Sequence, residues 1–117
     1  MNPEPRGTHP QIARIWRGRT TAARADEYAA YLYEHGIKPL ERKALGVQLF
    51  REDREETSEF VTISYWESVA AMSRFAGDDP RRIHHLERDA EFLIELRSEV
   101  QILDIVASHG TTGDPSP

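Results

Sequence analysis

No cysteine occurs among the 117 residues. That excludes a disulfide framework, a zinc–thiolate or iron–sulfur site, and a thiol nucleophile. No apolar run approaches the roughly 20 residues of a membrane-spanning helix. The opening stretch MNPEPRGTHPQ lacks the apolar segment of a secretory signal. Cationic charge is also short. Lys and Arg number 15 against 20 Asp and Glu, for a net charge of −5. Nonspecific binding to nucleic acid or to an anionic membrane is therefore not expected. A Gly-rich phosphate loop and a serine nucleophile elbow are missing as well. The expectation is one cytoplasmic domain, with 38% hydrophobic residues for a modest core and 30% charged residues for its surface.

Both ends, 1–10 and 108–117, are rich in Pro, Gly, Ser and Thr without apolar periodicity, and are expected to be disordered tails. The folded unit is expected at 11–107. QIARIWRG (11–18) reads as a strand with apolar groups on both sides. Residues 22–35 read as a helix carrying Tyr28, Tyr31 and Leu32 on one face, with Gly36 as its stop and Pro39 beyond. LGVQLFRE (45–52) and SEFVTISYW (58–66) read as an antiparallel hairpin around an acidic, solvated tip at 51–56. Ser68 caps a short helix that Gly77 ends. Asp79-Pro80 opens a second helix, expected to run to about Leu96. VQILDIVA (100–107) is the last strand.

The order β-α-β-β-α-β predicts an α+β, ferredoxin-like fold, with helices on one face of a four-stranded antiparallel sheet. Two-sided apolar strands predict that the second face is also covered, by a second copy packed sheet to sheet as a homodimer. Which strand side meets the helices is left open.

IARIWRGRT, ADEYAAYL, FVTISYWES, VAAMSRFAG and FLIEL, taken together, resemble the antibiotic biosynthesis monooxygenase family over about residues 11–107. The YWES junction and the FAG that follows carry most of the likeness. The resemblance implies a dimeric α+β barrel with a ligand pocket in each subunit between sheet and helices. It also implies a cofactor-independent monooxygenase acting on an aromatic or polyketide-like small molecule, without metal, haem or flavin. Two alternatives stand beside it: a haem-binding or haem-degrading protein, and a non-catalytic dimeric binding module or cyclase-like accessory. The haem degraders place a histidine about ten residues after a helix tryptophan. Here the pair is Phe75 and His85, and the strand asparagine those proteins use near Ile15 or Trp16 is missing.

GDDPRRIHHLERD (77–89) sets His84 beside His85. Adjacent helical residues point about 100° apart, so the two cannot share one ion, and no metal site is expected. On helical phase His84 falls with Arg88, Glu91 and Glu95 on the solvated side. His85 falls with Asp89, Phe92 and Leu96 beside the apolar stripe. His85 is the expected catalytic base, with Asp89 behind it to orient the ring and raise its basicity. The alternative is a rim histidine in a weak surface pair. Arg14, a charge among strand apolar residues, is expected to stabilise a substrate anion; the alternative is an arginine with its head in water. Trp16, Trp66, Tyr65, Phe75, Thr62 and Phe92 are the expected substrate-binding residues, and burial in core or interface is the alternative for the tryptophans.

Overall fold

The computed structural model describes residues 9–77, 79–83 and 85–110. His84 and nearly all of both expected tails lie outside the described residues.

Four strands form one antiparallel sheet in the order β2-β3-β1-β4. β1 (Ile12–Thr21) and β3 (Thr57–Trp66) are its long central pair, in register from Ile12 opposite Trp66 to Thr21 opposite Thr57. β2 (Gly46–Asp53) pairs with β3, and β4 (Gln101–Asp104) pairs with the first residues of β1. This is the ferredoxin-like arrangement that the order of elements predicted. The hairpin tip is tighter than the acidic stretch suggested: β2 runs to Asp53, and Arg54 N–H closes on Thr57 O at 2.8 Å.

The central strands sort their side chains by parity. Ile12, Arg14, Trp16, Phe60, Thr62, Ser64 and Trp66 share one face. Ala25, Tyr28 and Leu32 of α1 (Ala25–Leu32) join Phe60, Phe92 and Leu93 in one core cluster on that face. A second cluster joins Ile12, Leu40, Trp66 and Met72. The other face carries Ala13, Ile15, Phe50, Val61, Ile63, Tyr65 and Leu103. Phe50 and Leu103 on it are 45% and 43% exposed.

Two helical expectations are corrected. Gly36 does not stop the first helix. The chain continues through a five-residue π turn (Tyr33–Ile37), in which Lys38 N–H reaches back to Tyr33 O, and into α2 (Lys38–Glu41). Pro39 sits in the first turn of α2, where a missing N–H leaves no bond unmade.

The second helix is not continuous from residue 80 to 96 either. Among the described residues there, only α4 (Asp89–Phe92) is helical. Strand-type pairing meets the backbone's hydrogen-bonding needs on both sides of it. Ile83 N–H donates to Ser98 O, Val100 N–H to Arg81 O, and Ile94 N–H to Arg19 O. Asp89, which helical phase placed mid-helix, instead accepts the Leu86 N–H at 2.9 Å and starts the short helix. α3 (Val69–Ala76) matches its signals. Ser68 Oγ accepts the Ala71 N–H at 3.0 Å, and Gly77 leaves the helix at φ 89°, a conformation that favours glycine.

Among the described residues no helix is long and apolar enough to cross a membrane.

Candidate functional site

A pocket of about 310 Å³ lies between the sheet and the elements packed on it. Its floor is the even-numbered face of the central strands, with Arg14 and Trp16 from β1 and Thr62 from β3. Trp16 stands opposite Thr62 in the ladder, and Arg14 is one side-chain step along. The long helical run supplies one wall through Leu32, His35, Gly36, Ile37, Pro39 and Leu40. Phe75 of α3, Ile83, Leu86, Asp89 and Val100 complete it.

Arg14 is half-buried. Its Nε–H donates to Pro80 O at 3.0 Å and its Nη2 to Arg82 O at 3.3 Å. Burial pushes the guanidinium pKa down from its ordinary value. Among the described residues it forms no ion pair. The Thr62 side chain is 8% exposed, and its hydroxyl has no hydrogen-bond partner among the described residues. Trp16 lies flat over Gly18: a Cβ there would sit 2.7 Å from the indole.

Asp89 is buried under the opposite wall. It accepts the Tyr28 hydroxyl at 2.9 Å and the Leu86 N–H at 2.9 Å. Desolvation, then the Asp89 charge and this hydrogen bond, drive the Tyr28 phenol pKa far up. His85 Nδ1 is 3.6 Å from Asp89 Oδ2, so the two are neighbours although no continuous helix joins them. The His85 ring does not line the pocket. Its Nε2–H donates to Arg97 O at 2.8 Å, which leaves Nδ1 facing Asp89 in the neutral ring. His85 belongs to a separate, more open hollow with Asp79, Arg82, Ile83, Leu96, Arg97, Ser98 and Glu99.

The remaining expected site residues divide. Thr62, Trp16, Arg14, Phe75 and Asp89 come together around the pocket. Trp66 is buried beneath it, stacked on Phe75 at 5.4 Å, with its Nε1–H donating to Ser64 Oγ. Tyr65 has odd parity and so points to the opposite sheet face, where its hydroxyl donates to Gln48 Oε1 at 2.9 Å. Phe92 is core, packed on Tyr28 and Tyr31 and flanked by the Arg24 and Arg88 guanidinium groups at 4.3 and 5.0 Å.

His35, just before the Gly36 read as a helix stop, carries no motif in the sequence, yet it stands in the pocket wall with its ring 4.8 Å from Tyr31. The signal that could have found it is the Gly36-to-Pro39 spacing. A helical run that keeps going through those residues needs a wider turn, and such turns cluster at functional sites. Among the described residues no group of three or more His, Asp or Glu could hold a metal ion.

No protein-family model and no curated protein matches the chain. Among solved structures it is similar to one described as a "putative antibiotic biosynthesis monooxygenase" from Bacillus cereus. The TM-score is 0.60 over 87% of this chain and 99% of that one, at 12% sequence identity. At that identity the likeness is one of architecture. The chain has the fold of that protein, and its own four-stranded antiparallel sheet of ferredoxin-like topology carries helices and a pocket on one face.

Proposed function

We propose that the chain is a cofactor-independent monooxygenase of a small aromatic or polyketide-like molecule bound in the 310 Å³ pocket. The observation that carries this reading is an apolar cavity with a single guanidinium, Arg14, in its floor. An electron-rich phenol or anthrone held there loses a proton, and its anion gives an electron to dioxygen. The carbon then bonds to one oxygen atom, and the second leaves as water. A CH2 carbon becomes a carbonyl, and O2 balances the step. Arg14 N–H groups stabilise the anion. Trp16 and Phe75 face the rings, and Thr62 faces the polar end.

His35 in this reading accepts the proton. It stands in the wall of the pocket, whereas His85 Nε2 is committed to a backbone carbonyl beside another hollow. The same placement weighs against a haem held by His85. A Soret band on haem titration that disappears in His85→Ala would reverse that preference. A cavity between sheet and helices also weighs against a purely structural module, although a binding module could use the same space.

The test is oxygen consumption by metal-free protein with an anthrone-type substrate. Arg14→Gln and His35→Ala are each expected to lower the rate by about 10² or more. His85→Ala is expected to stay within a few-fold of the parent. No consumption with any such compound, or a loss in His85→Ala alone, overturns the reading.

We also propose that the sheet face opposite the pocket, with Phe50 and Leu103 exposed on it, is covered by a second copy of the chain.

A further inference from the structure

We infer that the pocket selects ligands bearing a carboxylate, so its occupant is a ring-containing apolar monoacid bound as the anion. The inference rests on the pocket being the ligand site, as proposed above, and on nothing in the oxidation chemistry.

Two polar groups in the floor point to it independently. Arg14 has five N–H hydrogens. Nε–H is taken by Pro80 O, and one Nη2 hydrogen by Arg82 O. Nη1 and the second Nη2 hydrogen have no acceptor among the described residues. Together they make the two-pronged fork that matches the two oxygens of a carboxylate. The two carbonyls fix the plane of the guanidinium, so the fork is already oriented before a ligand arrives. A half-buried cation without a counter-ion is costly, and an anionic ligand removes that cost.

Thr62 is the second group. Its hydroxyl is buried without a partner among the described residues, a state that native proteins seldom leave unanswered. It lies diagonally across the β1–β3 ladder from Arg14, on the same pocket floor. Around this polar end the wall is Trp16, Phe75, Leu32, Leu40, Ile83 and Val100, with His35 beside them, which suits a ring system. Asp89, the one carboxylate of the lining, is turned to the Tyr28 hydroxyl and the Leu86 N–H. The site thus has its guanidinium at one end and mostly apolar walls, in a chain whose net charge is −5.

The experiment is calorimetric titration of the full chain with 2-naphthoate and with its neutral isostere 2-naphthamide. The expected result is naphthoate binding at least tenfold tighter than naphthamide. Arg14→Gln is expected to bring the two within about twofold, and Thr62→Val to weaken naphthoate several-fold while sparing naphthamide. On naphthoate binding the Arg14 Nε–H resonance is expected to shift. Equal affinities, no binding of either compound at millimolar concentration, or a preference that persists in Arg14→Gln overturns the inference. The two ligands on the unmutated chain decide the matter if Arg14→Gln does not fold. Because turnover is not read, binding of naphthoate with no oxygen consumption separates failure of the oxidation from failure of this inference.

Discussion

Two donors hold the buried Asp89 carboxylate, the Tyr28 hydroxyl and the Leu86 N–H, each at 2.9 Å. Removing one leaves a desolvated charge short of a partner. Tyr28→Phe is therefore expected to destabilise the fold by about 1–3 kcal/mol, measured by chemical denaturation at pH 7. The same pair has a pH signature. Burial and the Asp89 charge raise the Tyr28 pKa above the unfolded value, so folding keeps the phenol protonated. Below about pH 10 both states are protonated and the group adds no pH dependence. As pH rises past that value the unfolded state ionises first, and stability falls. Denaturation followed from pH 9 upward should show this alkaline loss in the parent and a shallower one in Tyr28→Phe. Parallel curves would mean that the phenol does not feel the carboxylate.

At the level of elements, one glycine sets the pocket floor. A Cβ at Gly18 would meet the Trp16 indole at 2.7 and 2.8 Å, and Leu93 at 3.1 Å. The indole is a rigid plate, so it must swing off the strand face. Gly18→Ala is expected to cost about 1–3 kcal/mol and to shift the Trp16 emission, with Trp66 buried and unaffected. An unchanged spectrum would place the indole elsewhere. The Ser68 cap is a milder test: Ser68→Ala should lower stability by about 1 kcal/mol.

These elements also mark how far the sequence could be read. Strand alternation and the Ser68 and Gly77 signals located all four strands and α3, because those signals are local. Alternation likewise grouped Arg14 with Trp16, and Thr62 with Trp66. Where reading failed, distant backbone decided the outcome. Residues 80–96 have helical periodicity, yet Ile83 N–H goes to Ser98 O, Ile94 N–H to Arg19 O and Arg88 N–H to the Tyr31 hydroxyl. His85, phased on that helix, left the pocket with it. His35 entered the pocket because the chain passed through Gly36 in a π turn instead of ending there. Tyr65 turned away for a simpler reason: only the helices determine which parity faces inward.

For the molecule as a whole, the open sheet face is the unresolved energetic question. β3 is central in the sheet; its Ile63 sits half-buried between Ile15 and Gln48, and its Val61 between Arg17 and Phe50. Phe50 and Leu103, near the two edges, remain 45% and 43% exposed. Exposed apolar side chains gathered on one sheet face of a small domain are what a sheet-to-sheet dimer, as proposed above, would cover. Two such faces pack about 10 Å apart, and a two-fold axis makes the patch its own complement. Ile63 lies in the middle of the patch, away from the pocket, which occupies the other side of the sheet. Ile63→Asp would place a charge at the centre of the packed sheets, where it has no partner across the axis except its own copy. The parent is expected to sediment at twice the 13.4 kDa chain mass, and Ile63→Asp at the chain mass, with circular dichroism showing the fold retained. A parent that sediments as a single chain at tens of micromolar would leave this face open to water and overturn the dimer. Should Ile63→Asp lose the fold as well as the dimer, the edge change Phe50→Lys gives the same reading with less strain on the core, because Phe50 is 45% exposed in the single chain.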